Sequence, residues 1–266
     1  MRRTYHRLRF LICSLIIAAG HLTGEVRTQV RDGHPILDGV YVNGHGPYRF
    51  LLDTGADVNL IQTNLAKSIG LTATFHRDLA SSASVTVEPG DDGIEVTLDS
   101  VKAERQEFLF STLAAFRDRW PDIQGLLGQC FLAHVDYTLD LRGKHFSFGE
   151  QAARGTRARF RMIDGRPVVS TNLGDLVLDS GAERLVLFGI GPNTGFSGQR
   201  EMLTFAGRKQ VGVVSGKPLI IEGRRISHGD AVAIPSRTEP GVDGLLPASL
   251  FKAIYVCNSE GYIVFE

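Results

Sequence analysis

Phe50-Leu51-Leu52-Asp53-Thr54-Gly55-Ala56-Asp57 and Leu176-Val177-Leu178-Asp179-Ser180-Gly181-Ala182-Glu183 follow one pattern. Each has three apolar residues, an Asp, a hydroxyl residue, Gly, Ala and an acid. A single D-T-G or D-S-G is most often a turn. Two copies in matching contexts, one in each half of the chain, indicate a duplicated unit that brings two carboxylates to one place. Two close carboxylates do not both ionise readily; they share a proton and serve together as acid and base.

The duplication extends outward from these segments. Val40 to Gly44 and Pro47 to Leu52 lead into the first triplet, and Arg166 to Ser170 and Leu176 to Leu178 lead into the second. Each reads as two strands joined by a Gly-containing turn, with the triplet at the end of the second strand. Further on, Gly125-Leu126-Leu127-Gly128 answers Gly244-Leu245-Leu246-Pro247, and each is followed by a short apolar helical stretch, Phe131-Leu132 or Leu250-Phe251. Each half then closes with a hairpin, Val135–Leu141 into His145–Phe148 and Ile254–Cys257 into Tyr262–Phe265. Much of the remainder is short and β-prone, bounded by the turn chemistry of Pro89-Gly90-Asp91-Asp92-Gly93, Ser215-Gly216-Lys217-Pro218 and Gly223. A helix is expected over Asn64–Ile69, capped by Thr63 and stopped by Gly70. A polar linker is expected over Gly149–Arg159.

Through Asp53-Thr54-Gly55-Ala56, Asp179-Ser180-Gly181-Ala182 and Leu126-Leu127-Gly128 the chain resembles the aspartic protease family, over most of residues 34 to 266. The Ala after each triplet is closer to the retroviral-type branch than to pepsin. The resemblance implies an all-β fold with few short helices: two homologous β-barrel-like lobes of the acid-protease fold, 34–150 and 156–266, with an inter-lobe active-site cleft. It implies an aspartic endopeptidase that acts on a peptide or protein substrate as a monomer, through pairing of its own lobes. Asp53 and Asp179 would hold a water between them. One carboxylate would take its proton as it attacks the peptide carbonyl, and the other would donate to the carbonyl oxygen and later to the leaving amine. Gly55 and Gly181 would let the backbone approach the carboxylates, and the hydroxyls of Thr54 and Ser180 would bond across to the opposite lobe. No cofactor or metal is implied, and the eight histidines show no metal-binding spacing.

Three departures from the family pattern stand out. Pro247 replaces a Gly and removes an N–H donor. Residues 71–124 contain no tyrosine to serve as a pepsin-type flap residue. The flap is expected instead at Ser84–Val96, with Pro89–Gly93 at its tip and a counterpart at Thr204–Val213 turning at Ala206-Gly207. Ala56 and Ala182 lack the hydroxyl that follows the Gly in pepsin, so the dyad is expected to titrate higher and to work in mildly acidic to neutral conditions. Two other readings remain open: a catalytically inactive peptide-binding module of the same fold, and a narrow-specificity processing protease.

Composition narrows the alternatives. At 266 residues, 43% apolar and 22% charged, the chain has material for two cores. Formal charge is zero, with no basic stripe, which argues against a nucleic-acid partner. Residues 1–24 read as a signal peptide: Arg2, Arg3, Arg7 and Arg9 precede an apolar run of about 11 residues, Phe10 to Gly20, with Ala18-Ala19-Gly20 as small residues for cleavage. The expected location is extracytoplasmic, periplasmic or secreted, with membrane attachment only if that segment is uncleaved. Cys13 lies in the leader, and Cys130 and Cys257 are read as buried free thiols or as a disulfide. Glu183 beside Arg184 reads as a surface pair, and Trp120-Pro121 as a core or loop anchor.

Overall fold

The computed structural model describes residues 24–80, 85–149, 154–191, 196–204, 207–236 and 241–266. The leader expected at 1–24 lies outside them but for Gly24. The described chain is mostly β with few short helices. Its first half contains β1 (Glu25–Arg31), β2 (His34–Val42), β3 (His45–Leu52), β4 (Asn59–Gln62), β5 (Phe75–Ala80), β6 (Val85–Leu98), β7 (Val101–Ser111), β8 (Gly125–Leu127), β9 (Tyr137–Asp140) and β10 (His145–Phe148). Three short helices join them: α1 (Thr63–Ser68), α2 (Ala114–Arg119) and α3 (Gln129–Leu132). The second half runs β11 (Thr156–Ile163), β12 (Arg166–Thr171), β13 (Gly174–Asp179), β14 (Val186–Phe188), β15 (Gly198–Thr204), β16 (Gly207–Val214), β17 (Leu219–Ile221), β18 (Arg224–Ile226), β19 (Ala231–Ile234), β20 (Gly244–Pro247), β21 (Ala253–Cys257) and β22 (Tyr262–Phe265).

Both halves pair their strands by one scheme. In the first, β3 runs parallel to β8, β4 antiparallel to β8, and β4 parallel to β7. In the second, β13 runs parallel to β20, β14 antiparallel to β20, and β14 parallel to β19. Parallel neighbours require strands buried on both faces, which explains why Phe50-Leu51-Leu52 and Leu176-Val177-Leu178 are continuously apolar; all six residues are buried. Each Asp therefore sits where a buried strand ends and a loop begins.

The closing hairpins of the two halves merge. Strand β9 pairs with β21, and the order β1-β10-β9-β21-β22-β11 forms one six-stranded antiparallel layer drawn from both halves. Strands β9, β10, β21 and β22 are almost wholly buried, and the main core cluster spans both halves through Phe131, Tyr137, Phe146, Ile254 and Phe265. Strand β1, which the sequence reading left unassigned, forms its edge and also pairs with β2.

Several expectations are corrected. Pro89–Gly93 is not a hairpin tip: β6 runs through it with register shifts between Asp91 and Val96. Gly90 is needed there for close packing, because a β-carbon on it would lie 2.7 Å from the Phe75 ring. The hairpin is β5–β6, with Ala80 facing Val85, and its turn lies outside the described residues. The second hairpin, β15–β16, begins at Gly198 rather than at Thr204, and Gly207, expected in the turn, already belongs to β16 facing Thr204; residues 205 and 206 lie outside the described residues. Helix α1 starts at Thr63, so its N-cap is Gln62, with no side-chain cap bond, and Gly70 follows it at φ +77°. Residues Thr156–Arg159 belong to β11 rather than to a linker. Cys130 and Cys257 are not joined in a disulfide, and Cys130 is only partly buried. No helix among the described residues is long and apolar enough to cross a membrane.

Candidate active site

Parallel pairing brings the two triplets face to face. Asp53 N–H donates to Leu127 O at 2.9 Å, which fixes the first triplet against β8. At the other triplet Asp179 stands in register with Pro247. Gly55 N–H donates to Asp53 Oδ1 at 2.9 Å and Gly181 N–H to Asp179 Oδ1 at 2.7 Å. The carboxyl groups are in hydrogen-bond contact with each other. Each glycine faces the carboxyl of the other half: a β-carbon on Gly55 would stand 2.5 Å from Asp179 Cγ, and one on Gly181 2.6 Å from Asp53 Oδ2. Any larger residue at either place would push the carboxyls apart.

The hydroxyls form a reciprocal lattice beneath the pair. Thr54 Oγ1 donates to Leu178 O at 2.8 Å and accepts from Ser180 N–H at 2.9 Å. Ser180 Oγ donates to Leu52 O at 2.7 Å and accepts from Thr54 N–H at 3.0 Å. Thr54 and Ser180 are fully buried, so these four bonds have no competition from water. All six residues expected at the site, Asp53, Thr54, Gly55, Asp179, Ser180 and Gly181, are thus brought together.

Electrostatics set the pair apart from ordinary surface acids. Burial raises the Asp53 carboxyl above its usual range, opposed by the Gly55 N–H, the Asp179 contact and nearby His34. Burial raises Asp179 well above that range, and the negative charge of Asp53 pushes it further. The pair accordingly holds a proton more tightly than separate aspartates would, and its titration belongs to both groups together.

Pro247 turns out to be matched by a second change. In the first half Gly128 N–H donates to Asn59 Oδ1 at 2.9 Å, both groups being buried. Register places Leu60 with Leu126 and Val186 with Leu245, so Leu185 stands where Asn59 does. The second half has lost donor and acceptor together: Pro247 offers no N–H, and Leu185 offers no oxygen. Replacing both partners by apolar groups is nearly neutral, whereas losing one strands the other.

A cleft of about 650 Å³ opens over the carboxyls. Val58, Leu60, Leu79 and Phe116 line it from the first half, and Val186, Phe188, Val232 and Leu245 from the second. Leu245 reaches the cleft from the second half's apolar element on β20. Hairpins β5–β6 and β15–β16 both contribute, through Leu79 and Leu203. Leu203 packs across onto the first half's apolar cluster of Val58, Leu60 and Phe116. Glu183 is ion-paired with Arg119 at 2.6 Å rather than with Arg184, and Asp57 pairs with Arg77. Trp120 is buried beside Phe116, as a core anchor. The sequence reading missed His34 and Arg166, both buried and both lining the cleft. The signal was present as a basic residue before proline at the start of the strand that precedes each triplet-bearing strand. Among the described residues no cluster of three or more His, Cys, Asp or Glu side chains is placed to hold a metal ion.

Residues 39–131 match the family model described as aspartyl protease. That span holds the first triplet and Leu126-Leu127-Gly128. Among solved structures, a retropepsin-like aspartic protease from Rickettsia conorii is similar at 16% identity and a TM-score of 0.35, covering 47% of this chain and 90% of that one. No curated protein matches the chain. The likeness to the aspartyl protease family model is thus confined to residues 39–131, which hold the first of the two triplets.

Proposed function

We propose that the protein is an aspartic endopeptidase in which Asp53 and Asp179 activate one water between them. The observation that carries this reading is the contact between two carboxyls, both raised by burial and each held by the N–H of its own triplet glycine. A pair sharing one proton has an acceptor for the proton of the attacking water and a donor for the carbonyl oxygen of the peptide. One carboxyl of the pair carries the shared proton and is the donor, and the other is the base. Thr54, Gly55, Ser180 and Gly181 keep the two groups in place.

In this reading the two halves are homologous lobes, 34–150 and 156–266, whose pairing within one chain completes the site in a monomer. An extended peptide lies in the cleft under the two hairpins, bound by main-chain hydrogen bonds as an added strand. The apolar residues from both halves favour apolar side chains on either side of the cleaved bond. The leader at 1–24 directs the protein out of the cytoplasm. The matched loss of Asn59 and Gly128 counterparts in the second half supports catalysis over a binding module, since Pro247 then leaves no orphaned partner near Asp179.

The test is cleavage of a randomised peptide library by the mature protein across pH 3 to 8, beside Asp53→Asn. Cleavage that disappears in the variant is the expected result. Cleavage that survives in it would remove the dyad mechanism. A folded wild-type protein that binds peptides without cutting them would leave the binding module.

A further inference from the structure

His34 and Arg166 occupy the same place in the two halves. Ile36 faces Leu51 and Val168 faces Val177, and Leu51 and Val177 each stand two residues before their Asp. Ile36 thus corresponds to Val168, Pro35 to Pro167 and His34 to Arg166. Both basic residues are buried, at 3% and 8% exposure, although basic side chains are seldom so deeply covered without a task.

His34 reaches across the chain. Its Nε2 lies 2.9 Å from Gly181 O, in the triplet of the other half. Its Nδ1 lies 3.2 Å from Asp32 O, and its ring packs edge-on against Trp120 at 4.9 Å between centroids. Both partners are carbonyl oxygens, which only accept, so Nε2 must donate to bond Gly181. The Gly181 bond and the packing on Trp120 hold the ring, and its fixed atom is the one that touches the active loop. Arg166 lies near enough to Asp179 to act on its charge, as His34 does on Asp53.

We propose that His34 is a positioning residue: from the first half it clamps the Gly181 carbonyl, and with it the turn that carries Asp179, at the place in the fold that Arg166 fills in the second half. The lattice of Thr54 and Ser180 fixes the loops from below, and His34 fixes one of them from the side. The inference rests on the aspartic-protease reading for its kinetic consequences, but not for its structural one.

The experiment compares His34→Phe, His34→Gln and His34→Arg on a cleaved peptide. Phe keeps a ring against Trp120 and loses the donor; Gln and Arg keep a donor, and Arg copies the residue at the corresponding place. His34→Phe should lose roughly tenfold to hundredfold in kcat with KM little changed, because a loop displaced by less than about 1 Å costs that much. Gln and Arg should recover most of the loss. A folded His34→Phe that cleaves like the wild type would overturn the proposal. If Phe does not fold, His34→Met replaces it in the same comparison. Amide hydrogen exchange at Ser180 and Gly181 gives a readout that needs no turnover. Faster exchange there in the donor-less variant is expected, and unchanged exchange would overturn the clamp. A wild-type protein that never cleaves would defeat the protease reading, while exchange would still decide the role of His34.

Discussion

Thr54→Val tests the reciprocal lattice most sharply, because valine keeps the shape of threonine and removes only the hydroxyl. That oxygen makes two bonds in the buried floor of the site, donating to Leu178 O and accepting from Ser180 N–H. Its loss removes one donor to a carbonyl, costing about 0.5–1.5 kcal/mol, and strands a buried N–H, costing about 1–3 kcal/mol. The expected destabilisation is therefore roughly 2–4 kcal/mol. For a chain of this size that corresponds to a fall in Tm of about 4–16 °C. Both bonds join the two halves, so Thr54→Val and Ser180→Ala should couple strongly rather than add. Urea unfolding and thermal melting of the two single variants and the double variant supply the numbers, with Thr54→Ser as the control that keeps the hydroxyl. Thr54→Val within about 0.5 kcal/mol of the wild type, the range of a neutral surface change, would refute the reasoning.

Other consequences follow from the same geometry. Gly55→Ala and Gly181→Ala should each abolish peptide cleavage, since the added carbon would lie 2.5–2.6 Å from the opposite carboxyl; activity assays on folded protein check this. Asp179→Asn should stabilise the fold at neutral pH and have little effect in acid. The native carboxyl is raised by burial and by Asp53, so its contribution to stability is complete below the unfolded value of about 3.9 and is lost as pH rises through the folded one. Melting at pH 3.5 and 7.5 shows the contrast, and an equal effect at both would contradict it. Leu185→Asn should cost roughly 1–3 kcal/mol by burying an amide with no N–H at Pro247 to meet it. Adding Pro247→Gly should recover part of that loss in the same unfolding assay.

The triplets made much of the architecture legible. The apolar runs before Asp53 and Asp179 mark doubly buried strands, and the second apolar element in each half marks the parallel neighbour that such strands need. What stayed hidden depended on contacts remote in sequence. Pro89–Gly93 carries every local mark of a turn, yet the Phe75 ring over Gly90 and the pairing with β7 keep the strand running through it. Pro247 reads locally as a defect; only the register that sets Leu185 at the place of Asn59 shows the change to be balanced. His34 and Arg166 escaped notice because β2 and β3 are longer than β12 and β13, so their distances along the chain to the two aspartates differ. The shared layer of β9, β10, β21 and β22 was visible as two hairpins, but nothing within either one reveals its partner.

The central claim is that two carboxyls from the two halves act as one acid–base unit. The most direct measurement is kcat/KM against pH on a single cleaved peptide for the wild type, Asp53→Asn and Asp179→Asn. A bell-shaped wild-type profile centred in the mildly acidic to neutral range, with cleavage lost in both variants, is the predicted result. Cleavage that persists in either variant, or a profile still rising toward pH 2, would contradict it.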